Sequence, residues 1–416
     1  MKSNYKRIGD YIHKVENRNR DLKVTRLLGL SMTKEFRETT SNIVGTDMSV
    51  YRVMSKYQFA CDFMSPIRVN KLPVVLKLDD EQNLVSPAYP VFEITDRSKL
   101  DPEYLMMWFR RPEFDRYAAF KCDAAIRGGY EWDELCETLI PVPSITKQRE
   151  IVKEYNVIQN RIALNQQLIK KLEETAQAIY KQWFVDFEFP DENGKPYKSS
   201  SGEMVFNEEL QQEIPLGSEV GCLNDVIDTI ISHRGKSKSL MDLNNKGGNF
   251  IYPVITAMNV NNGRIVKNET IRYVDYDSYN EWMKIPLQSG DVILTSEAPM
   301  GELFYISKKT DYIISQRLFG LRVDKNKCRG IYLYFWFQTP ILKADLEGRA
   351  SGTTVLGIKL SELKKVMVLI PSILQVERFE IKTKVIMDFL ENKKRENEHL
   401  SDLKDFLLSK LATLEN

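Results

Sequence analysis

Between Ile151 and Trp183 the seam positions are Ile151, Tyr155, Ile158, Ile162, Asn165, Ile169, Leu172, Ala176, Ile179 and Trp183, a strict alternation of four and three. That spacing holds one stripe on one face of a helix and is the signature of a coiled-coil seam, with Asn165 its only polar member. Glycine and proline are absent from Ser144 to Phe189, as a long helix requires. At 1.5 Å per residue the seam extends roughly 50 Å, which overhangs any head of roughly 150 residues. The pattern therefore predicts a partner helix, and Asn165 is expected to set its register. A second stripe, from about Leu374, carries Ile386, Phe389, Leu400, Leu403 and Leu407, interrupted by Lys393 and Glu396. Two ordinary amphipathic helices, each packed on its own head, are the alternative.

Elsewhere the pattern shortens to period two. Val91-Phe92-Glu93-Ile94, Val292-Ile293-Leu294, Phe304-Tyr305-Ile306 and Phe319-Gly320-Leu321-Arg322-Val323 read as strands, separated by turn chemistry such as Asn262-Gly263 and Ser289-Gly290-Asp291. Apolar runs into proline, Leu139–Pro143 and Val366–Pro371, precede the two helical stretches. These elements recur as a set. Tyr104-Leu-Met-Met-Trp-Phe-Arg-Arg-Pro112 returns as Tyr332-Leu-Tyr-Phe-Trp-Phe-Gln-Thr-Pro340, and residues 104–145 laid on 332–373 without a gap match at 11 of 42 positions. Upstream, Lys6-Arg7-Ile8-Gly9-Asp10-Tyr11-Ile12 loosely echoes Gly221-Cys222-Leu223-Asn224-Asp225-Val226-Ile227. The period is too long for a solenoid. It predicts a duplicated unit: a mixed α and β head followed by a helix.

Composition narrows the class. Hydrophobic residues at 43% and charged ones at 28% fit an ordinary globular protein of 416 residues with room for two or three domains. No apolar run reaches membrane length and the first residues lack an apolar signal core, so residence in the cytoplasm is the expectation. Five scattered cysteines without a C-x-x-C pair and three distant histidines suggest neither a disulfide framework nor a metal centre. The net charge is +1, but residues 185–213 hold eight acidic side chains against two basic ones, leaving the remainder at +7. That mild excess is compatible with a nucleic-acid footprint that partner subunits strengthen. The acidic Asp186–Glu192 stretch, beside Lys198-Ser-Ser-Ser-Gly202, reads as a solvated linker.

Catalytic signatures are missing. His233-Arg234-Gly235-Lys236-Ser237 lacks the leading glycine of a phosphate-binding loop, since position 230 is Ile230. There is no G-x-G-x-x-G after a strand and no Asn/Asp-Pro-Pro-Tyr/Phe of an amino-methyltransferase. An Asp291…Glu297 pair could be imagined as part of a metal nuclease, but Pro299 stands where a lysine belongs, and Asp291 reads better as a turn residue.

The residues around the first helix resemble a known family. Pro143-Ser-Ile-Thr-Lys-Gln148-Arg-Glu-Ile151-Val152, Asn165-Gln-Gln-Leu-Ile169, Leu172-Glu-Glu, Trp183-Phe-Val-Asp-Phe-Glu-Phe-Pro190 and Gly194-Lys195-Pro196-Tyr197-Lys198-Ser199-Ser200, followed by Glu203-Met204-Val205 and Glu213-Ile214-Pro215, are similar to the central conserved region of type I restriction specificity subunits. Two positions depart from the pattern. Ser218 stands where the family usually has tryptophan, and Val376 replaces the glutamine of the second P-x-x-x-x-Q, departures that bear on local packing. The resemblance implies an α+β fold: two mixed α/β target-recognition domains, separated by two long conserved helices that form an antiparallel coiled coil, in an internal pseudo-twofold repeat. Boundaries follow at 1–144 for the first domain, 145–184 for the central helix, 185–214 for a conserved linker, 215–373 for the second domain and 374–416 for the C-terminal helix.

It also implies a function. Each domain would read one half of a bipartite, asymmetric site on double-stranded DNA, and the helices would space the domains and dock two methyltransferase subunits and the restriction subunits. The chain itself would be non-catalytic and hold no cofactor, with S-adenosylmethionine, ATP and Mg used by its partners, in the cytoplasm of a prokaryote and with no membrane involved. A self-sufficient DNA methyltransferase or nuclease with an unrecognised site is the alternative. Base readers are usually polar side chains on loops braced by strands. The candidates are Lys34, Arg37, Asn42, Arg68, Asn70, Lys71, Tyr89 and Arg127 in the first head. In the second they are His233, Arg234, Lys236, Lys238, Thr256, Asn259, Asn261, Arg264, Gln316, Arg317, Thr353 and Thr354.

Overall fold

Asp101 and Pro102 begin a helix for two separate reasons. The Asp101 carboxylate accepts from the N–H groups of Glu103 (2.9 Å) and Tyr104 (3.2 Å), and Pro102 brings a preset φ to a position that needs no N–H. The resulting helix, Pro102–Phe109, is buried along almost its whole length and belongs to the core of the first of two units. The structure is a computed structural model that describes residues 5–39, 45–123, 130–234, 251–352 and 354–413. One unit comprises residues 1–166 and 396–416, the other residues 167–395.

In the first unit a four-stranded antiparallel sheet has the order Ile12–Lys14, Val91–Ile94, Gln58–Cys61, Val74–Leu76. Phe59 and Phe92 stack across it at 4.9 Å, and Phe109 meets both edge-on. In the second unit the corresponding sheet has the order Ile227–Ser232, Leu318–Val323, Val292–Thr295, Leu303–Tyr305, again antiparallel throughout. This unit adds a three-stranded sheet, Arg272–Val274, Tyr252–Ile255 and Ile313–Ile314, with its own core around Trp282.

The duplication extends to single hydrogen bonds. Tyr104, fully buried, donates its hydroxyl to Pro141 O at 2.9 Å, and Tyr332, also fully buried, donates to Leu369 O at 2.6 Å. Ile8 N donates to Thr138 O in one head and Leu223 N to Val366 O in the other, at 2.9 and 2.8 Å. The faint upstream echo is explained the same way: Tyr5–Arg7 pairs antiparallel with Leu139–Pro141, and Glu219–Cys222 with Met367–Ile370, in matching register. Where the sequence departs, the packing departs. Gln148 is fully buried, its Oε1 accepting from Asp101 N (2.8 Å) and its Nε2 donating to Lys99 O (2.9 Å) and Pro143 O (2.8 Å). Val376, its counterpart, is an apolar core residue, and there Arg329 instead pairs with Glu377 and Glu380.

Two long helices, Ile145–Phe184 and Ile373–Lys410, contribute to both units. Every position of the predicted seam is buried or half-buried. Within the first unit Tyr155 shares a core with Leu408 and Leu411, while further along Arg161 pairs with Glu396 at 2.6 Å. Within the second, Glu173 pairs with Lys394 at 3.4 Å, and Tyr180, Trp183 and Phe184 surround Phe379. In each unit residue numbers rise on one helix as they fall on the other, so the helices pack antiparallel. Glu396, which breaks the second apolar stripe, does so to make an interhelical ion pair. Lys393 lies over the ring of Phe389.

Asn165 is buried and donates its amide to Asn397 Oδ1 at 3.0 Å, as a register-setting residue should. Replacing both by leucine is expected to raise the melting temperature, whereas Asn165→Leu alone, which orphans Asn397, should cost about 1 kcal/mol. Thermal melts of the two variants check this, and a single variant more stable than the double one would contradict the pairing.

The segment after the first helix corrects an expectation. Asp186–Glu192 is not a solvated stretch throughout: Phe187 and Phe189 are buried in the second unit's core, Phe189 stacks on Tyr197 at 4.5 Å, and beyond it Met204–Asn207 pairs with Gln212–Pro215. The acidic residues alternate with phenylalanines, so the charge covers an apolar anchor.

Candidate nucleic-acid interface

In the second head the ends of three adjacent strands converge. Ser232 lies opposite Phe319, and Thr295 opposite Leu318, so the residues following Ser232 and Thr295 and preceding Leu318 share one edge of the sheet. Ser296 N donates to Arg317 O and Ile358 N to Ser296 O, both at 2.9 Å, which draws in the loop Ser351–Gly357. That loop is closed by reciprocal backbone bonds between Ser351 and Gly357. Gly357 packs tightly there: a Cβ would stand 3.0 Å from Glu297 Cβ and 3.1 Å from Ser296 O, so a larger residue would push on both.

At the centre is the Glu297 carboxylate. Arg317 Nε approaches it at 2.9 Å and Arg234 Nη2 at 3.4 Å, while Arg234 Nη1 donates to Ile358 O at 2.9 Å. Arg234 and Arg317 are 41% and 60% exposed against 27% for Glu297, so the arginines face outward from a carboxylate set behind them. Thr354 is exposed on the adjoining loop and Gln316 is half-buried.

The first head builds the corresponding edge from different residues. Cys61 N donates to Pro90 O at 3.1 Å and Tyr130 N to Phe63 O at 2.9 Å, the counterparts of the two bonds around Ser296. Tyr89 is half-buried there, and burial pushes its hydroxyl pKa up, with nearby Asp62 adding to the effect and Arg37 opposing it. Arg37 is exposed, its Nε donating to Leu30 O at 3.2 Å. Asp62 also anchors the segment that carries Arg68, Asn70 and Lys71, by accepting from Met64 N and Ser65 Oγ. Those three are exposed, with Asn70 ending the helix Pro66–Val69 in a left-handed conformation.

Other candidates serve the fold. Lys34 is buried against Asp115 (2.8 Å) and donates to Phe109 O; burial lowers its pKa, and Asp115 opposes that. His233 is buried, with its ring 5.1 Å from that of Trp282 and Nε2 3.4 Å from the Met283 sulfur. Asn259 is fully buried and fixes a turn by accepting from Thr256 N and Oγ1 and donating to Val266 O. Arg264 is held at the central helix by both oxygens of Glu173, and Asn261, paired with Arg264 across the hairpin, is exposed. Asn42, Arg127, Lys236, Lys238 and Thr353 lie outside the described residues. Sequence reasoning had not placed Glu297 or Asp62 in an interface. Glu297 meets Arg234 across 63 positions of chain, a pairing with no local signal.

Asp291 is buried with both oxygens on Arg322, at 3.0 and 2.7 Å, and accepts from Gln288 N, as its reading as a turn residue requires. Among the described residues no group of three or more His, Cys, Asp or Glu side chains could hold a metal, and no helix is long and apolar enough to cross a membrane.

Comparison with known proteins shows what the chain is similar to. Residues 215–403 match the model of the type I restriction modification DNA specificity domain. The chain is 24% identical over 385 residues to the type I restriction enzyme HindI specificity subunit of Haemophilus influenzae, covering 80% of this chain and 81% of that one. It is 23% identical over 321 residues to the type I restriction enzyme MjaIX specificity subunit of Methanocaldococcus jannaschii, covering 74% and 68%. Its residues 215–403 carry the type I restriction modification DNA specificity domain, and along most of its length the chain is similar to type I restriction specificity subunits. Its role is DNA sequence specificity. The fold agrees: the crystal structure of the S subunit from M. genitalium superposes with a TM-score of 0.59 over 99% of this chain and 96% of that one, at 14% identity. In a specificity subunit the convergent loop edges of the two heads are the natural place for base contacts, since loops braced by a sheet hold polar side chains at fixed angles.

Proposed function

We propose that each head of this specificity subunit reads one half of a bipartite, asymmetric DNA site, and that the two long helices space the heads and dock the methyltransferase and restriction subunits. The observation that carries this reading is the duplication itself. The same sheet order and the same tyrosine-to-carbonyl bond recur in two heads, while the loop edges hold different chemistry: Arg37, Asp62 and Tyr89 in one, Arg234, Glu297 and Arg317 in the other. Equal scaffolds with unequal edges suit an asymmetric site. The readers in this proposal are Arg37, Arg68, Asn70, Lys71 and Tyr89 in the first head, and Arg234, Gln316, Arg317 and Thr354 in the second.

The chain carries no catalysis of its own in this reading. S-adenosylmethionine, ATP and Mg belong to the partner subunits, and the complex works in the cytoplasm. Support for docking comes from apolar side chains left outside on the helices, among them Val157 and Leu164 in one unit and Leu374, Ile381 and Val385 in the other. Support for dependence on partners comes from the net charge of +1, which is slight for a protein that must neutralise several phosphates by itself.

Exchanging residues 1–144 for the first head of another specificity subunit, and mapping adenine methylation by the assembled complex, tests the reading. One half of the methylated motif should change and the other should persist. A change in both halves would show that the heads do not read independently.

A further inference from the structure

The two arginines at the second head's loop edge are not equivalent. Arg234 has Nη2 on Glu297 and Nη1 on Ile358 O, so the end of its guanidinium is committed to the protein. Arg317 touches Glu297 through Nε, and among the described residues neither of its Nη atoms has a protein partner. A guanidinium paired with a carboxylate on its Nε side is restrained there and leaves its two Nη groups, with their parallel N–H donors, facing away from the protein. Behind it the carboxylate is itself held by a second arginine and by a backbone that Gly357 and Ser296 lock in place.

We infer that Arg317 is the residue with which the second head recognises a guanine, donating from both Nη atoms to O6 and N7, and that Glu297 and Arg234 are the residues that position it. The inference rests on the DNA-specificity reading above and adds the base and the division of roles. Guanine is the base that offers two acceptors at the spacing of an arginine fork in the major groove. A backbone phosphate fits the site less well. Glu297 sets a negative charge beside the place a phosphate would occupy, leaving the Arg234–Glu297–Arg317 group only one net positive charge. A carboxylate brace weakens attraction to the backbone and strengthens orientation, which is the exchange a base reader needs. The first head places Tyr89-Pro90 where the second has Gln316-Arg317, so the braced fork belongs to one half-site only.

The test uses complexes assembled with the methyltransferase subunit from wild-type chain, R317A, R317K and E297Q, with methylated adenines mapped across a host genome. The half-site read by the second head is assigned by the head exchange described above. R317A and R317K should both relax discrimination at a single G·C pair of that half-site, on the order of 10- to 100-fold, and leave the other half-site unchanged. E297Q should relax the same pair by less. Lysine keeps the charge but not the planar fork, so a phosphate contact would instead survive in R317K and weaken uniformly across all sites in R317A, with the motif unaltered. That outcome overturns the inference, as do an unchanged R317A motif, relaxation at an A·T pair, and a second half-site without a G·C pair. A parallel measurement needs no variant. Duplexes with 7-deazaguanine, which lacks the N7 acceptor, at each guanine of that half-site should bind the wild-type complex about 10-fold more weakly at one position; equal binding at every position also overturns it. A wild-type motif that is not bipartite would instead refute the underlying reading, and that is seen before any variant is compared.

Discussion

Gly330→Ala is expected to lower the melting temperature of the second unit by roughly 6–12 °C, a loss of about 3 kcal/mol. A Cβ on Gly330 would stand 1.7 Å from the carbonyl oxygen of Gly290 and 2.8 Å from its carbon. Both obstacles are backbone, so no side chain can swing aside. Gly290 in turn is held by its N–H to Ile306 O and takes a φ of +96° in the turn before Asp291. Relief therefore has to come from moving the start of the helix Gly330–Trp336. That helix carries Tyr332, whose hydroxyl reaches Leu369, and Trp336, whose Nε1 donates to Met367 O at 2.9 Å. Gly348→Ala is the control: nothing lies within 4 Å of that Cβ, and alanine in a helix gains up to about 1 kcal/mol over glycine. Thermal melts of the full chain followed by tryptophan fluorescence report both. A Gly330→Ala protein melting with the wild type would mean that the two backbones do not touch.

Gly330 also marks the boundary of what the sequence disclosed. The repeat is legible because Tyr104 and Tyr332, with the strands they bond, recur at a constant spacing. The helices are legible because a seam of alternating four and three admits few other structures. The loop edge was legible only in pieces. Arg234, Gln316-Arg317 and Thr354 stand apart in the chain as unrelated polar residues. They become one site because Ile227–Ser232, Leu318–Val323 and Val292–Thr295 are neighbours in the sheet and Ile358 N bonds to Ser296 O at its edge, pairings that alternation alone does not specify. Lys34, His233 and Asn259 mislead for the complementary reason. Each is polar and lies between strand-like runs, which reads as surface, but Lys34 and His233 find their partners, Asp115 and Trp282, far along the chain, and Asn259 turns inward to close its own turn between Thr256 and Val266. The Asp186–Glu192 stretch misled through composition, since its charges outweighed Phe187 and Phe189, the two residues that anchor it in the core.

The Asp291–Arg322 pair separates a structural carboxylate from a catalytic one. Asp291 is 1% exposed and Arg322 has 16% of its side chain exposed, with two bonds between them and a further bond from Arg322 Nη2 to Pro286 O at 2.7 Å. Removing one partner of a buried pair strands the other charge, so Asp291→Ala should cost about 3–5 kcal/mol. Gln288 N would lose its acceptor as well. Removing both charges is less damaging than removing one: adding Arg322→Met to Asp291→Ala should recover part of the loss, because no uncompensated guanidinium is left in the sheet. A double-mutant cycle by chemical denaturation gives the coupling directly. If Asp291 instead served a metal-dependent reaction, its removal would abolish activity while sparing stability, because functional carboxylates held close to others are relieved by neutralisation. Here the carboxylate's neighbour is a cation, and the sign of the effect is fixed by that. Additive losses across the cycle would show that the two side chains are not coupled and would return Asp291 to the list of residues without an assigned role.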